Sequence, residues 1–181
     1  VLDDYLPLRG LKDKSKITLL GAGFVGMELA AAFSERGHHV SVIAPRERIL
    51  RSYFDPGLDD IIITLFNEHG IDVHLEWGEV SKVDNSSNSR CEVSFSGGET
   101  IETDKLIAAT GVEPRISFVN GKGISVNKGI VVDRMVRSCV HNMFAAGDVR
   151  EAPSFLTGEN GLRLIHPSAV EQGKIAGSNM I

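Results

Sequence analysis

The chain has 181 residues, 42% of them hydrophobic and 24% charged, with a formal net charge of −5, which suits one ordinary soluble domain or two small ones. No Lys/Arg-rich block marks a nucleic-acid binder, and the apolar runs fall far short of the roughly 18 residues of a membrane span. The acidic, proline-containing start "VLDDYLPLRG" lacks the pattern of a signal peptide.

Residues 1–15 read as a polar lead-in. Ile17 to Leu20 is a short apolar run, expected as a buried strand, and residues 24–36 read as a helix. Val25, Leu29 and Phe33 recur there at helical spacing, beside the small residues Gly26 and Ala30. Gly37 stops that helix, and "HVSVI" (39–43) is a second strand. In "FDPGLDDIIITLFNEHG" Asp55 is the expected cap and Pro56 the first helical residue. Leu58, Ile61, Ile62, Leu65 and Phe66 form the expected apolar stripe, and Gly70 ends the helix before the strand "IDVHL". The first 75 residues thus read β-α-β-α-β, which implies a parallel sheet with right-handed crossovers. Residues 78–103 alternate in short stretches broken by "NSSNS" and Gly97-Gly98, the pattern of an antiparallel meander. The "NSS" at Asn85 reads as a plain turn. "KLIAAT" (105–110) is another buried strand ended by Gly111, "GIVVD" and "MFAAGD" are further strand candidates, and residues 166–180 end the chain as a helix.

Two cysteines, Cys91 and Cys139, form no C-x-x-C pair. They fit a reducing, cytoplasmic setting and structural roles. The histidines show no metal-ligand grouping, so no metal site is expected, and no Ser-His-Asp arrangement is suggested.

Chemistry concentrates in "KITLLGAGFVGMELA" (16–30), where a strand runs into G-x-G-x-x-G and then a helix. Gly21 allows the sharp turn, Gly23 admits a pyrophosphate close to the backbone, and Gly26 lets the helix pack on the sheet. The helix start then offers N–H groups and a positive dipole end to the phosphates. NAD sites carry an acid at the end of the second strand to bind the ribose hydroxyls. Here "VIAPRERILR" places Ala44 there, followed by Arg46, Arg48 and Arg51. The arginines favour the 2′-phosphate of NADP(H), while Glu47 remains a carboxylate able to serve NAD.

"GAGFVGMELA", "AATGVEPR" (108–115) and "NMFAAGDV" (142–149) together, in this order and spacing, resemble the pyridine nucleotide–disulfide oxidoreductase family. These are flavoenzymes that include NADH oxidases, rubredoxin and ferredoxin reductases and nitrite reductase large subunits. The resemblance covers about residues 8–181. It implies an α/β fold of the FAD/NAD(P)-binding three-layer ββα type, a Rossmann-like parallel sheet with an antiparallel meander. It further implies an NAD(P) domain at 16–112, inserted in a flavin domain whose C-terminal segment is 113–181. By resemblance Glu28 is the acid near the nicotinamide, Phe24 sits at the pocket mouth with Val25 beside it, and Gly111 passes beside the NAD(P). Gly147 and Asp148 would meet the ribityl chain of FAD, and the final helix, around Ala169, Gln172 and Gly173, would point at the flavin ring.

The family's first flavin segment and its C-terminal domain are not in this sequence. The expectation is therefore a fragment of a longer flavoenzyme, inactive alone, with those segments as its partners. Its electron acceptor is unassigned, and a homodimer is compatible with the sequence. A non-catalytic NAD(P)-binding module is the alternative. A flavin-free dehydrogenase lacks support, since no Tyr-x-x-x-Lys is present.

Overall fold

The computed structural model describes residues 8–50, 54–87 and 90–181. The chain divides into two compact units, Val1–Gly111 and Val112–Ile181. In the first, β1 (Lys16–Leu20), β2 (His39–Ile43), β3 (Ile71–His74) and β7 (Lys105–Ala108) make a parallel sheet in the order β3-β2-β1-β7. Such strands need covering on both faces, because parallel crossovers bury the sheet. Ile17, Leu19, Val40 and Val42 point to one face, where α1 (Phe24–Glu35) and α2 (Asp59–Glu68) lie. Leu20, Ile43 and Leu106 point to the other. A meander of β4 (Val80–Ser87), β5 (Arg90–Phe95) and β6 (Thr100–Thr103) covers that second face, packing Val93, Phe95 and Trp77 on it. The result is the three-layer arrangement that the family resemblance implies.

Both helices are rotated from the expected stripes. On α1 the buried residues are Gly26, Met27, Ala30 and Phe33, while Val25 is 54% exposed. Only small residues at Gly26 and Ala30 let the helix approach the sheet, which turns Val25 outward. On α2 the inward face is Asp59, Ile62, Ile63 and Phe66, an i, i+3, i+4, i+7 stripe headed by a charge. Leu58, Ile61 and Leu65 are exposed. Asp55 does not cap this helix: α2 follows a 3-10 turn at Pro56–Leu58 and carries no side-chain cap. Asp55 contributes its carbonyl, which accepts the Leu58 N–H at 3.2 Å. The "NSS" stretch is strand, not turn, because β4 runs through Ser87.

The second unit holds β8 (Ile130–Val131), β9 (Arg150–Pro153) and β10 (Asn160–Leu162) in the order β10-β9-β8, and the closing helix α3 (His166–Asn179). "MFAAGD" is not a strand. Phe144 makes an isolated bridge to Arg137, and Gly147–Val149 coils into a 3-10 turn. Glu151 is buried beneath this small sheet, accepting the Asn127 amide and the Gly129 N–H at 2.9 Å each. Burial pushes its carboxyl up, but these donors, the Lys128 N–H and the Lys128 charge outweigh burial and hold it below the usual range.

Candidate dinucleotide site

Parallel strands bring their C-terminal ends to one edge, where α/β proteins bind ligands. That edge carries the glycine turn, the loop after β2 and the segment after β7. Gly21 donates its N–H to the Ile43 carbonyl at 2.8 Å, and Ala109 donates to Leu20 at 2.8 Å. Gly21 has φ of +106°, and a Cβ on it would stand 2.5 Å from the Ala109 carbonyl oxygen. A Cβ on Gly26 would collide with the Gly21 carbonyl oxygen. Those two glycines lock the turn onto the sheet.

Gly23 differs. It is the extended residue at the start of α1, and nothing lies within 4 Å of where its Cβ would be. No side chain caps α1 and its first turn holds no acid, so no side chain answers its positive end. The cradle therefore fits a dinucleotide's diphosphate, in shape at Gly23 and in charge at the helix start. Phe24 opens the helix, its ring edge-on to Phe54 at 6.2 Å. Val25 and Glu28, one turn apart, are both exposed on the outer face of α1.

Ala44 is buried at the end of β2 and donates its N–H to the His74 carbonyl. No carboxylate occupies that position. The following loop is hung on the glycine turn, because Leu50 donates to the Ala22 carbonyl at 2.9 Å. Arg46 and Glu47 are exposed, and neither side chain makes a hydrogen bond or ion pair among the described residues. Arg48 is committed elsewhere: its Nε meets Asp59 at 2.7 Å and its Nη2 donates to the Phe54 carbonyl at 2.8 Å. Arg48, expected among the phosphate ligands of this loop, is instead claimed by the buried acid at the head of α2. Arg51 lies outside the described residues. Gly111, exposed, closes the segment after β7.

In the second unit Gly147 adopts φ of +76° and donates its N–H to Gln172 Oε1 at 2.9 Å. Gln172 is buried on α3 and in turn donates to the Ser168 hydroxyl at 2.7 Å. This chain of bonds fixes the turn that carries the exposed Asp148. Only the helical spacing of Ser168 and Gln172 hinted at it in the sequence. Cys91 is half-buried in the meander, whereas Cys139 is exposed. Hydrogen bonds from Ser125 hold the Cys139 thiol below its ordinary range. Among the described residues no group of metal-binding side chains is found, and no helix is long and apolar enough to cross a membrane.

Residues 1–173 match the family model described as pyridine nucleotide-disulphide oxidoreductase. The epsilon subunit of the NADH-dependent phenylglyoxylate dehydrogenase of Aromatoleum evansii is 33% identical over 180 residues, covering 99% of this chain and 42% of that protein. The water-forming NADH oxidase of Lactobacillus brevis, solved with NADH, superposes with a TM-score of 0.84 at 30% identity, over 98% of this chain and 39% of that one. An engineered water-forming NADPH oxidase derived from it, solved with NADPH, gives a TM-score of 0.81 at 32% identity, over 92% and 37%. The chain thus spans about two fifths of the length of these relatives.

Proposed function

The chain belongs to the pyridine nucleotide-disulphide oxidoreductase family, and from that premise we propose that it is the pyridine-nucleotide-binding portion of an NAD(P)H-dependent flavoprotein oxidoreductase. The observation that carries this reading is the turn at Gly21, Gly23 and Gly26, where two glycines are wedged and the middle one faces open space. The nucleotide diphosphate rests there on main-chain N–H groups at the start of α1. Phe24, Val25 and Glu28 line the nicotinamide end, and Gly111 passes beside the nucleotide. Residues 16–112 are the NAD(P) domain in this reading. Residues 113–181 are the second segment of a split flavin domain, in which Gly147 and Asp148 meet the ribityl chain of FAD and α3 points at the flavin. The bound cofactors supply hydride transfer from nicotinamide to flavin; the protein supplies position, electrostatics and exclusion of water. The longer relatives support further segments of the same protein completing the flavin pocket and serving the acceptor.

We also infer a preference for NADPH. Ala44 removes the acid that would bind the ribose and repel a 2′-phosphate, and Arg46 is exposed beside it without an ion-pair partner among the described residues. In the NADPH-bound engineered oxidase, an aspartate is replaced by alanine and arginines are introduced one and seven positions further on. Arg51 stands seven positions after Ala44 in this sequence.

Fluorescence titration with NADH and NADPH tests both statements. NADPH is expected to bind at least several-fold more tightly, and Arg46→Ala to remove the difference. Equal affinities in the unaltered chain overturn the NADP preference alone. Binding of neither nucleotide overturns the functional reading.

A further inference from the structure

The β9–β10 hairpin sets two arginines against each other. Its antiparallel register pairs Asn160 with Pro153, Gly161 with Ala152 and Leu162 with Glu151; Arg163 follows directly after the last paired residue and lies close enough to Arg150 for their charges to act on each other. Like charges so placed repel. Nothing described offsets the repulsion. Among the described residues neither arginine has an ion-pair partner, and the buried Nε of Arg150 has no hydrogen-bond acceptor. Burial, and then the charge of Arg163, press the Arg150 guanidinium below its ordinary pKa. On the same face Gly161 stands across from Ala152, with open space where a Cβ would be.

We propose that Arg150 and Arg163 form an anion site that takes the phosphoryl dianion of a small molecule. An orphaned guanidinium N–H beneath the surface needs an acceptor, because a buried donor without one is costly. A guanidinium fork presents donors that match the oxygens of a tetrahedral anion, and two of them near each other can share one. A dianion balances both charges, whereas a carboxylate balances only one. The empty volume over Gly161 gives that anion room. The site lies wholly within the second unit and does not depend on the dinucleotide cradle.

Calorimetric titration of the 181-residue chain with inorganic phosphate, at low ionic strength and pH 8, tests this. Arg163 is exposed, so Arg163→Ala is expected to fold and to bind phosphate about tenfold more weakly or worse. Arg163→Lys, keeping charge but losing the fork, is expected to fall between. Lys174→Ala, on the exposed surface of α3, is expected to bind as the unaltered chain does. In phosphate-free buffer Arg163→Ala is expected to melt no lower than the unaltered chain, since it relieves repulsion. Unchanged phosphate affinity in Arg163→Ala overturns the proposal. So does acetate binding as tightly as phosphate at matched ionic strength, or a lower melting temperature for Arg163→Ala without phosphate.

Discussion

Arg48 and Asp59, eleven residues apart, meet at 2.7 Å with 21% and 12% of their side chains exposed. The pair joins the loop after β2 to the first turn of α2. It lets a charged residue head the inward face of that helix, because the guanidinium answers the carboxylate while the aliphatic residues below bury themselves. Asp59→Ala leaves that guanidinium half-buried without its acid and is expected to cost about 1.5–3 kcal/mol. Chemical denaturation of the two proteins measures it. Arg48→Ala is expected to destabilise similarly yet leave the NADPH-to-NADH affinity ratio unchanged, in contrast to Arg46→Ala.

The three glycines of the turn separate by what surrounds them. Gly26→Ala forces a methyl against the Gly21 carbonyl and is expected to destabilise by about 1–3 kcal/mol. Gly23→Ala meets no atom, so its melting temperature is expected to stay close to the original. Its nucleotide affinity is expected to fall, because the methyl enters the space assigned to the diphosphate. A Gly23→Ala chain that binds nucleotide as before would remove the reason for placing the ligand there.

Ala44→Asp returns a carboxylate to the end of β2. The expected outcome is weaker NADPH binding and tighter NADH binding, read as a reversed affinity ratio in parallel titrations. A folding check by circular dichroism belongs with it, since Ala44 is 3% exposed.

Glu151 makes stability depend on acid. Its carboxyl titrates below its ordinary value near 4.5 in the folded chain, so the unfolded chain binds the proton more readily. The stabilisation is complete above that ordinary value and drains away as pH falls through the lower, folded one. Glu151→Gln is expected to flatten this acid limb and, by replacing charged with neutral hydrogen bonds, to cost about 1–3 kcal/mol at neutral pH. Urea melts at a series of pH values report both effects.

The first half of the fold was legible because its punctuation is strong: a glycine turn, Gly37 and Gly70 bound apolar segments of one period each. The rotation of α1 and α2 was not. Val25 and Ile61 carry apolar character that helical spacing alone assigns to the core, and only the closeness allowed by Gly26 and Ala30, or the salt bridge at Asp59, decides otherwise. In the second unit β9 and β10 are "REAP" and "NGL", too short and too rich in Pro and Gly to show alternation. At "MFAAGD" the opposite holds: the apolar run looks like a strand, yet Gly147 bends it into a turn. The glycine turn between β1 and α1 is readable from spacing, whereas the engagement of Arg48 needs a partner that no local pattern reveals.

Lys16 ties the two sheets of the first unit together at their shared margin. Its carbonyl accepts both the Thr103 hydroxyl at 3.0 Å and the Asp104 N–H at 2.9 Å, while its own N–H reaches Asp104 Oδ2 at 2.8 Å. That N–H, and then Arg90, hold the Asp104 carboxyl below the usual range. Deuterium should therefore enter the Lys16 amide as slowly as it enters the central strand, and the meander should unzip together with its neighbour rather than ahead of it. Asp104→Ala removes the carboxylate's strand of this clasp and leaves the two bonds to the Lys16 carbonyl, so the Lys16 amide itself should exchange faster while the two layers still open together.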